Sequence, residues 1–427
     1  MDLSVRRSNS LRGQMQIPPN KSHSFRALIM AGLAQGTSHI HNPATSSDWL
    51  RGTEALEMFG ASVTPGAANT WVVHGTGGHL HTPDDVVDCG NSGIIFRFFT
   101  ALAGNCPGYT VLNGDHSIRH LRPIGPLLEA LNQLGVFAVS TKGDGHAPVV
   151  VRGPLRGGQA SFDGSDSQPV SALLIACSLA TAPTELTVLN PGEKPWIGVT
   201  LDWLARCGAE VSHEDFAKYR IRGRGHWSGF DATIPADWSA AMYPIVAALI
   251  TEGSELRLPN VDWNDSQGDK LMVNTLREMG ADIEIGEHGL VARSSQLTGR
   301  TIDCNDFIDQ FMLLAVVGCY AQGETVLTNA AVCRQKECDR ISAMHQALRA
   351  MGADVEERPD GLVIRHSKLH GVPLNSHADH RMVMTLAVAG LGAAGETLIS
   401  NIECVKKTFP NFVDQMQSIG AIVMTNE

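Results

Sequence analysis

Apolar positions along the chain recur in two kinds of block. The first is an amphipathic helix end, a glycine and an alternating stretch, at residues 55–63, 130–139, 201–211, 275–283, 347–355 and 414–423. Its glycines, Gly60, Gly135, Gly208, Gly280, Gly352 and Gly420, lie 75, 73, 72, 72 and 68 residues apart. A glycine just past a helix end enters the left-handed conformation without a Cβ penalty, so each is predicted to stop a helix and open a strand. The second block alternates with the first: an apolar helix, a turn and a β-rich stretch, at 24–40, 94–113, 169–190, 240–259, 311–329 and 381–401. Each unit of about 70 residues then reads helix, strand, helix, strand, too long for a common solenoid repeat and long enough for a small α/β subunit. Chance recurrence of Leu-x-x-x-Gly would not keep such even spacing through six copies.

Composition narrows this picture. A chain of 427 residues is too long for one ordinary core, so two domains are expected. Hydrophobic content of 43% with 18% charged residues describes a soluble globular protein, and 6% aromatics with 43 glycines suit an α/β fold with tight turns. No apolar run reaches the roughly 20 residues that span a bilayer, and residues 1–7 hold no signal-peptide core, so a cytoplasmic location and no membrane partner are expected. A net charge of -11 argues against nucleic acid, although basic residues that converge locally still hold small anions. The nine cysteines form no CxxC pair; Cys177 and Cys319 fall in apolar helical stretches and read as buried reduced thiols, not zinc ligands.

Candidate chemistry clusters at predicted helix starts. The first helix opens with Pro18, Pro19, Asn20, Lys21 and Ser22, with Arg26 one turn on, where free N–H groups and the dipole favour an anion. Gly90, Asn91, Ser92 and Gly93 precede an apolar helix carrying Arg97; the glycines admit close backbone approach. Asp166, Ser167 and Gln168 precede another, and Asp379, His380 and Arg381 the last. Singly, each motif also reads as ordinary capping. Two compact charged segments are Arg119–Gly125, with Arg122, and Arg334–Arg340. On a helix, Lys336 and Arg340 would share a face and Glu337 would pair with Arg340; the plainer reading is a salt-bridged surface helix. Lys407 stands in Lys406-Lys407-Thr408-Phe409-Pro410.

Together these segments resemble the EPSP synthase (3-phosphoshikimate 1-carboxyvinyltransferase) family, in order and over nearly the whole chain. Its Pro-x-x-Lys-Ser-x-Ser-x-Arg-Ala pattern matches Lys21, Ser22 and Arg26; its Gly-Asn-x-Gly…Arg loop matches Gly90, Asn91, Gly93 and Arg97. Arg122 to Gly125, Lys336 to Arg340, Asp379 to Met382 and Lys407 to Pro410 match its four remaining motifs, and Asp309 falls at its acidic position before the fifth apolar helix. The sister enzyme, UDP-N-acetylglucosamine enolpyruvyl transferase, carries a reactive Cys in a loop that here reads Gly114 to Ile118 and has none. The chain departs from the family at the acceptor's phosphate site: Asp166 and Glu193 stand where many members have serines, and Val332 where an Asn is common. Either Lys194 or Lys336 compensates these carboxylates, or the acceptor differs.

The resemblance implies a two-domain, inverse α/β barrel-like architecture (EPT/RTPC-like) with three repeats per domain, one of residues 20–235 and one of 1–19 with 236–427, closing over ligands held between them. It implies transfer of the enolpyruvyl group of phosphoenolpyruvate to the 5-hydroxyl of shikimate 3-phosphate, on the route to chorismate and aromatic amino acids, with glyphosate in the donor site beside Gly93. Lys21, Gly93, Arg122, Gln168, Arg340, Arg381 and Lys407 would bind the donor. Ser22, Arg26, Ser167, Gln168, Asp309 and Lys336 would hold the acceptor, Arg26 through a carboxylate. Asp309 would activate the hydroxyl, and Lys21 and Glu337 are candidates for protonating C3. A clamp of four like charges, Arg122, Arg340, Arg381 and Lys407, would favour an open empty cleft. No metal or organic cofactor is expected, and a monomer is. A paralogous transferase with another acceptor, or a non-catalytic homologue, are the competing readings.

Overall fold

The computed structural model describes residues 1–287 and 289–426; positions 288 and 427 of the expected second domain lie outside them. The repeating unit is clearest at 158–221. Strand Gly158–Asp163 leads into helix Ser167–Ser178, which returns as strand Thr184–Leu189, parallel to the first. Helix Lys194–Arg206 follows, stops at Gly208, and gives a hairpin of Val211–Glu214 and Lys218–Ile221 that docks antiparallel on 184–189. Among the described residues this four-stranded sheet occurs six times. The six spaced glycines all have positive φ, from 76° to 105°, as the helix-stop reading requires.

The expected helix, strand, helix, strand unit is short by two strands. An edge strand precedes the first helix and a second hairpin strand follows the second. All but one of these leading strands have only two or three residues, too few to show a period of two; Val87–Asp88 has two. Three edge or central strands also come from distant sequence. Asp231–Thr233 pairs parallel with Gln35–His41, and Arg12–Gln14 pairs parallel with Glu255–Leu258. Asp2–Arg6 lies between Glu396–Ser400 and Ile422–Asn426, antiparallel to both.

These pairings divide the chain into two compact units, Met1–Pro18 with Pro235–Glu427, and Pro19–Ile234. Prolines stand at both crossings, where a strand ladder must end for want of an N–H. Each unit has its own apolar core. Its centre is the first helix of each repeat: Lys21–Leu33, Gly93–Ala103 and Ser167–Ser178 in one unit, Trp238–Ile250, Phe311–Tyr320 and His380–Gly392 in the other. These helices are apolar almost all round and therefore buried on every side. In the second unit all three pack on one another; in the first, Gly93–Ala103 packs on Ser167–Ser178. Their charged residues are confined to the first two turns, so those ends are where charged chemistry can sit.

Candidate active site

In the Pro19–Ile234 unit, two helix starts bring three predicted motifs together. Helix Gly93–Ala103 is capped by Ser92, and helix Ser167–Ser178 by Asp166, whose carboxylate accepts from the Gln168 N–H at 2.9 Å. Arg97, one turn into the first helix, is the hub. It donates to Gln168 Oε1 at 3.3 Å and to the Pro123 carbonyl at 3.2 Å, and pairs with Asp166 at 3.0 Å. Arg122 donates to the Asn91 carbonyl at 3.4 Å. A Cβ on Gly93 would come within 2.8 Å of an Arg97 nitrogen, 3.0 Å of one on Arg122 and 3.4 Å of Gln168 Oε1. Gly93, Arg122 and Gln168, read from separate motifs, therefore meet, and only glycine leaves the space between them.

The same unit holds Lys21, Ser22, Arg26 and Ser167, four more of the residues expected to meet the substrates. Lys21 lies 3.6 Å from Asp48. Ser22 offers its carbonyl to Arg26, whose other donors go to Thr200 Oγ1 at 2.8 Å and the Trp196 carbonyl at 3.0 Å. Arg26 is buried, lies over the Phe98 ring, and has no ion pair among the described residues. Burial lowers its pKa to about 9. A buried cation without a counter-charge is costly, and a bound carboxylate would relieve that cost. Glu193 is 2% exposed in a left-handed turn and accepts from both the N–H and the hydroxyl of Ser167, at 2.9 and 2.7 Å. The two unexpected carboxylates thus have defined roles. Asp166 pairs with Arg97, and Glu193 supports the start of a helix.

In the other unit, the N-termini of the three buried helices converge on an arginine–carboxylate network. Arg340, 2% exposed, donates to Asp379 at 2.8 Å, Asp309 at 3.0 Å and Glu337 at 2.8 Å. Arg381 donates to the other Asp309 oxygen at 2.9 Å and to Ser239 Oγ at 3.3 Å. One carboxylate therefore bridges two arginines. Burial pushes the Asp309 carboxyl upward, but Arg381, then Arg340 and Lys336, outweigh it and hold it below the usual range. Asp379 caps helix His380–Gly392 through the Arg381 N–H at 2.9 Å. Lys407 ends the 3₁₀ turn Ile402–Lys407, which packs on that helix.

Two expectations are corrected here. Lys336 and Arg340 do not share a helix face: Lys336 is the extended residue closing the 3₁₀ turn Ala331–Gln335, and Arg340 opens the next helix after the Asp339 cap. The Glu337–Arg340 pair does form, across that bend. Nor are Arg340 and Arg381 bare like charges, because Asp309, Glu337 and Asp379 face them. Arg97 and Asp379 were matched as motif letters without a role. Ser239 and Asp269 carried no motif, and only the convergence of helix starts reveals them.

Helix starts lined with arginines and carboxylates, on a repeated α/β scaffold, define an enzyme that handles small anions. The family model for EPSP synthase (3-phosphoshikimate 1-carboxyvinyltransferase) matches residues 5–416. A 3-phosphoshikimate 1-carboxyvinyltransferase of Acetivibrio thermocellus is 42% identical over 427 residues, covering 100% of both chains. One of Methanocaldococcus jannaschii is 40% identical over 426 residues, covering 98% of each. The structure of EPSP synthase from Acinetobacter baumannii superposes with a TM-score of 0.84 at 28% identity and full coverage of both chains. The chain belongs to the EPSP synthase family. It is an enzyme of the 3-phosphoshikimate 1-carboxyvinyltransferase type, transferring the enolpyruvyl group in the shikimate pathway.

Proposed function

We propose that the two residue sets divide this reaction between donor and acceptor. Lys21, Gly93, Arg122, Gln168, Arg340, Arg381 and Lys407 bind phosphoenolpyruvate; arginine forks suit its carboxylate and phosphate. Ser22, Arg26, Ser167, Gln168, Asp309 and Lys336 hold shikimate 3-phosphate, with Arg26 gaining in the acceptor's carboxylate the counter-charge its burial demands. The acceptor hydroxyl attacks C2 while C3 takes a proton from Lys21 or Glu337. Loss of that proton and of phosphate from the tetrahedral intermediate leaves the enol ether.

The observation that carries the assignment is Asp309 between Arg340 and Arg381. The arginines keep it ionised, hence able to accept the hydroxyl proton, and also make it a weak base. A donor anion that draws on the same arginines raises its basicity when substrate is present. Asp309→Asn keeps the size and removes the base. It should lower kcat by about 10²–10⁴ with little change in the KM for phosphoenolpyruvate. An unchanged kcat would remove Asp309 from the role.

No described helix is long and apolar enough to cross a membrane. A monomeric, cytoplasmic enzyme without nucleic-acid partners is the reading that accompanies this function.

A further inference from the structure

Beneath the Asp309 bridge lies a carboxylate that the reaction does not require. Asp269, in the 3₁₀ turn Gly268–Leu271, is fully buried. Its Oδ2 accepts from the Ser239 hydroxyl and, at 2.9 Å, from Gln310 Nε2. Among the described residues its Oδ1 has no hydrogen-bond partner, and neither does Oε1 of the same Gln310 side chain; both atoms are buried. Two orphan oxygens, one on each member of a bonded pair, are both acceptors when Asp269 is ionised. Turning the Gln310 amide over would set its oxygen against Asp269 Oδ2 and make matters worse. One proton resolves both: an O–H on Oδ1 donating to Gln310 Oε1 closes a carboxylic acid–amide ring with the Nε2–Oδ2 bond already present.

We infer that Asp269 is a positioning residue that works as a neutral carboxylic acid, locked by Gln310 and holding Arg381 on Asp309 through Ser239. Ser239 Oγ donates to Asp269 and accepts from Arg381, whose same nitrogen donates to Asp309. The charges that act most on Asp269 are Asp309, from the turn Asn305–Gln310, and Arg381, from helix His380–Gly392, and Ser239 and Gln310 donate to it. Burial, then the Asp309 charge, raise its pKa to about 7, against the opposing pull of Arg381. A neutral Asp269 leaves the charge of Arg381 answered by Asp309 and available to an anion. An ionised one would draw the guanidinium toward Ser239.

The inference rests on the reading that Asp309 and Arg381 serve the reaction. Its test separates the two. Asp269→Asn supplies an amide donor to Gln310 and keeps a carbonyl for Ser239, so it copies the neutral acid. Its kcat/KM near pH 7 should stay within about threefold of the parent, while Asp269→Ala loses about tenfold or more. The Asn variant should also lose any alkaline decline this group gives the kcat/KM profile. The infrared band of a protonated, buried carboxyl should be present in the parent at about pH 6 and absent from Asp269→Asn. A parent without that band, or a folded Asn variant as impaired as the Ala variant, overturns the proposal. Arg381→Ala is the separate control: full activity there defeats the role given to Arg381 while leaving the infrared result to decide the protonation.

Discussion

Asp309 meets Arg381 directly and Asp269 meets it through Ser239, yet their surroundings move the two acidities in opposite directions. This has a consequence for stability. A carboxyl raised in the folded state contributes least at high pH. Asp269, raised from 3.8 to about 7, favours the fold while protonated, and that contribution is lost as pH rises from about 4 through about 7. Asp309, lowered, does the reverse: its contribution is present above the ordinary carboxyl range and lost in acid. Asp269→Asn removes the first term only. Its unfolding free energy from urea titration should match the parent near pH 4 and exceed it progressively toward pH 8, by on the order of a few kcal/mol. A constant offset across that range would count against a buried titrating Asp269. This group was invisible in the sequence because burial, not residue type, sets its state. Arg340 and Arg381 were visible because each stands in the first turn of a helix within a compact motif.

At the scale of elements, the start of helix Ser167–Ser178 is the most unusual feature. Its first N–H and hydroxyl are engaged by Glu193, whose place in a left-handed turn before helix Lys194–Arg206 aims the carboxylate at them. A phosphate arriving at Ser167 must compete with that carboxylate for the same donors. Glu193→Gln keeps an acceptor for Ser167 and removes the charge, so the KM for shikimate 3-phosphate should fall. A close like-charge pair at an effective dielectric near 20 is worth about 4 kcal/mol, so even partial relief is measurable. A higher KM would mean that the carboxylate orders the site more than it repels the ligand. The helix itself was legible, as were its five counterparts, because uniformly apolar runs and spaced glycines survive in sequence. The edge strands were not. Arg12–Gln14 and Asp231–Thr233 are three residues each, and their partners lie some 200 residues away, so no local period announces them. The bend at Lys336–Asp339 was misread as helix for the same reason: the charge spacing fits one, and only the Asp339 cap reveals a new start.

For the molecule as a whole, the first 18 residues belong structurally to the last 193. Strand Asp2–Arg6 is hydrogen-bonded on both sides, within a sheet built otherwise from 373–426. Leu3, Val5, Leu11 and Met15 are fully buried in the core of that unit. Burying each large apolar side chain is worth about 1.5–3 kcal/mol. Losing four, with a central strand, rivals the net stability of a domain, about 5–15 kcal/mol. The other unit needs nothing from outside 19–234, since its returning edge strand Asp231–Thr233 lies within that range. A fragment of residues 19–234 should therefore unfold cooperatively in urea on its own. A fragment of residues 235–427 should show no cooperative transition, and a peptide of residues 1–18 added in trans should restore one. Cooperative unfolding of 235–427 alone would show that its sheets close without the N-terminal strands, and the stability assigned to residues 1–18 would be wrong.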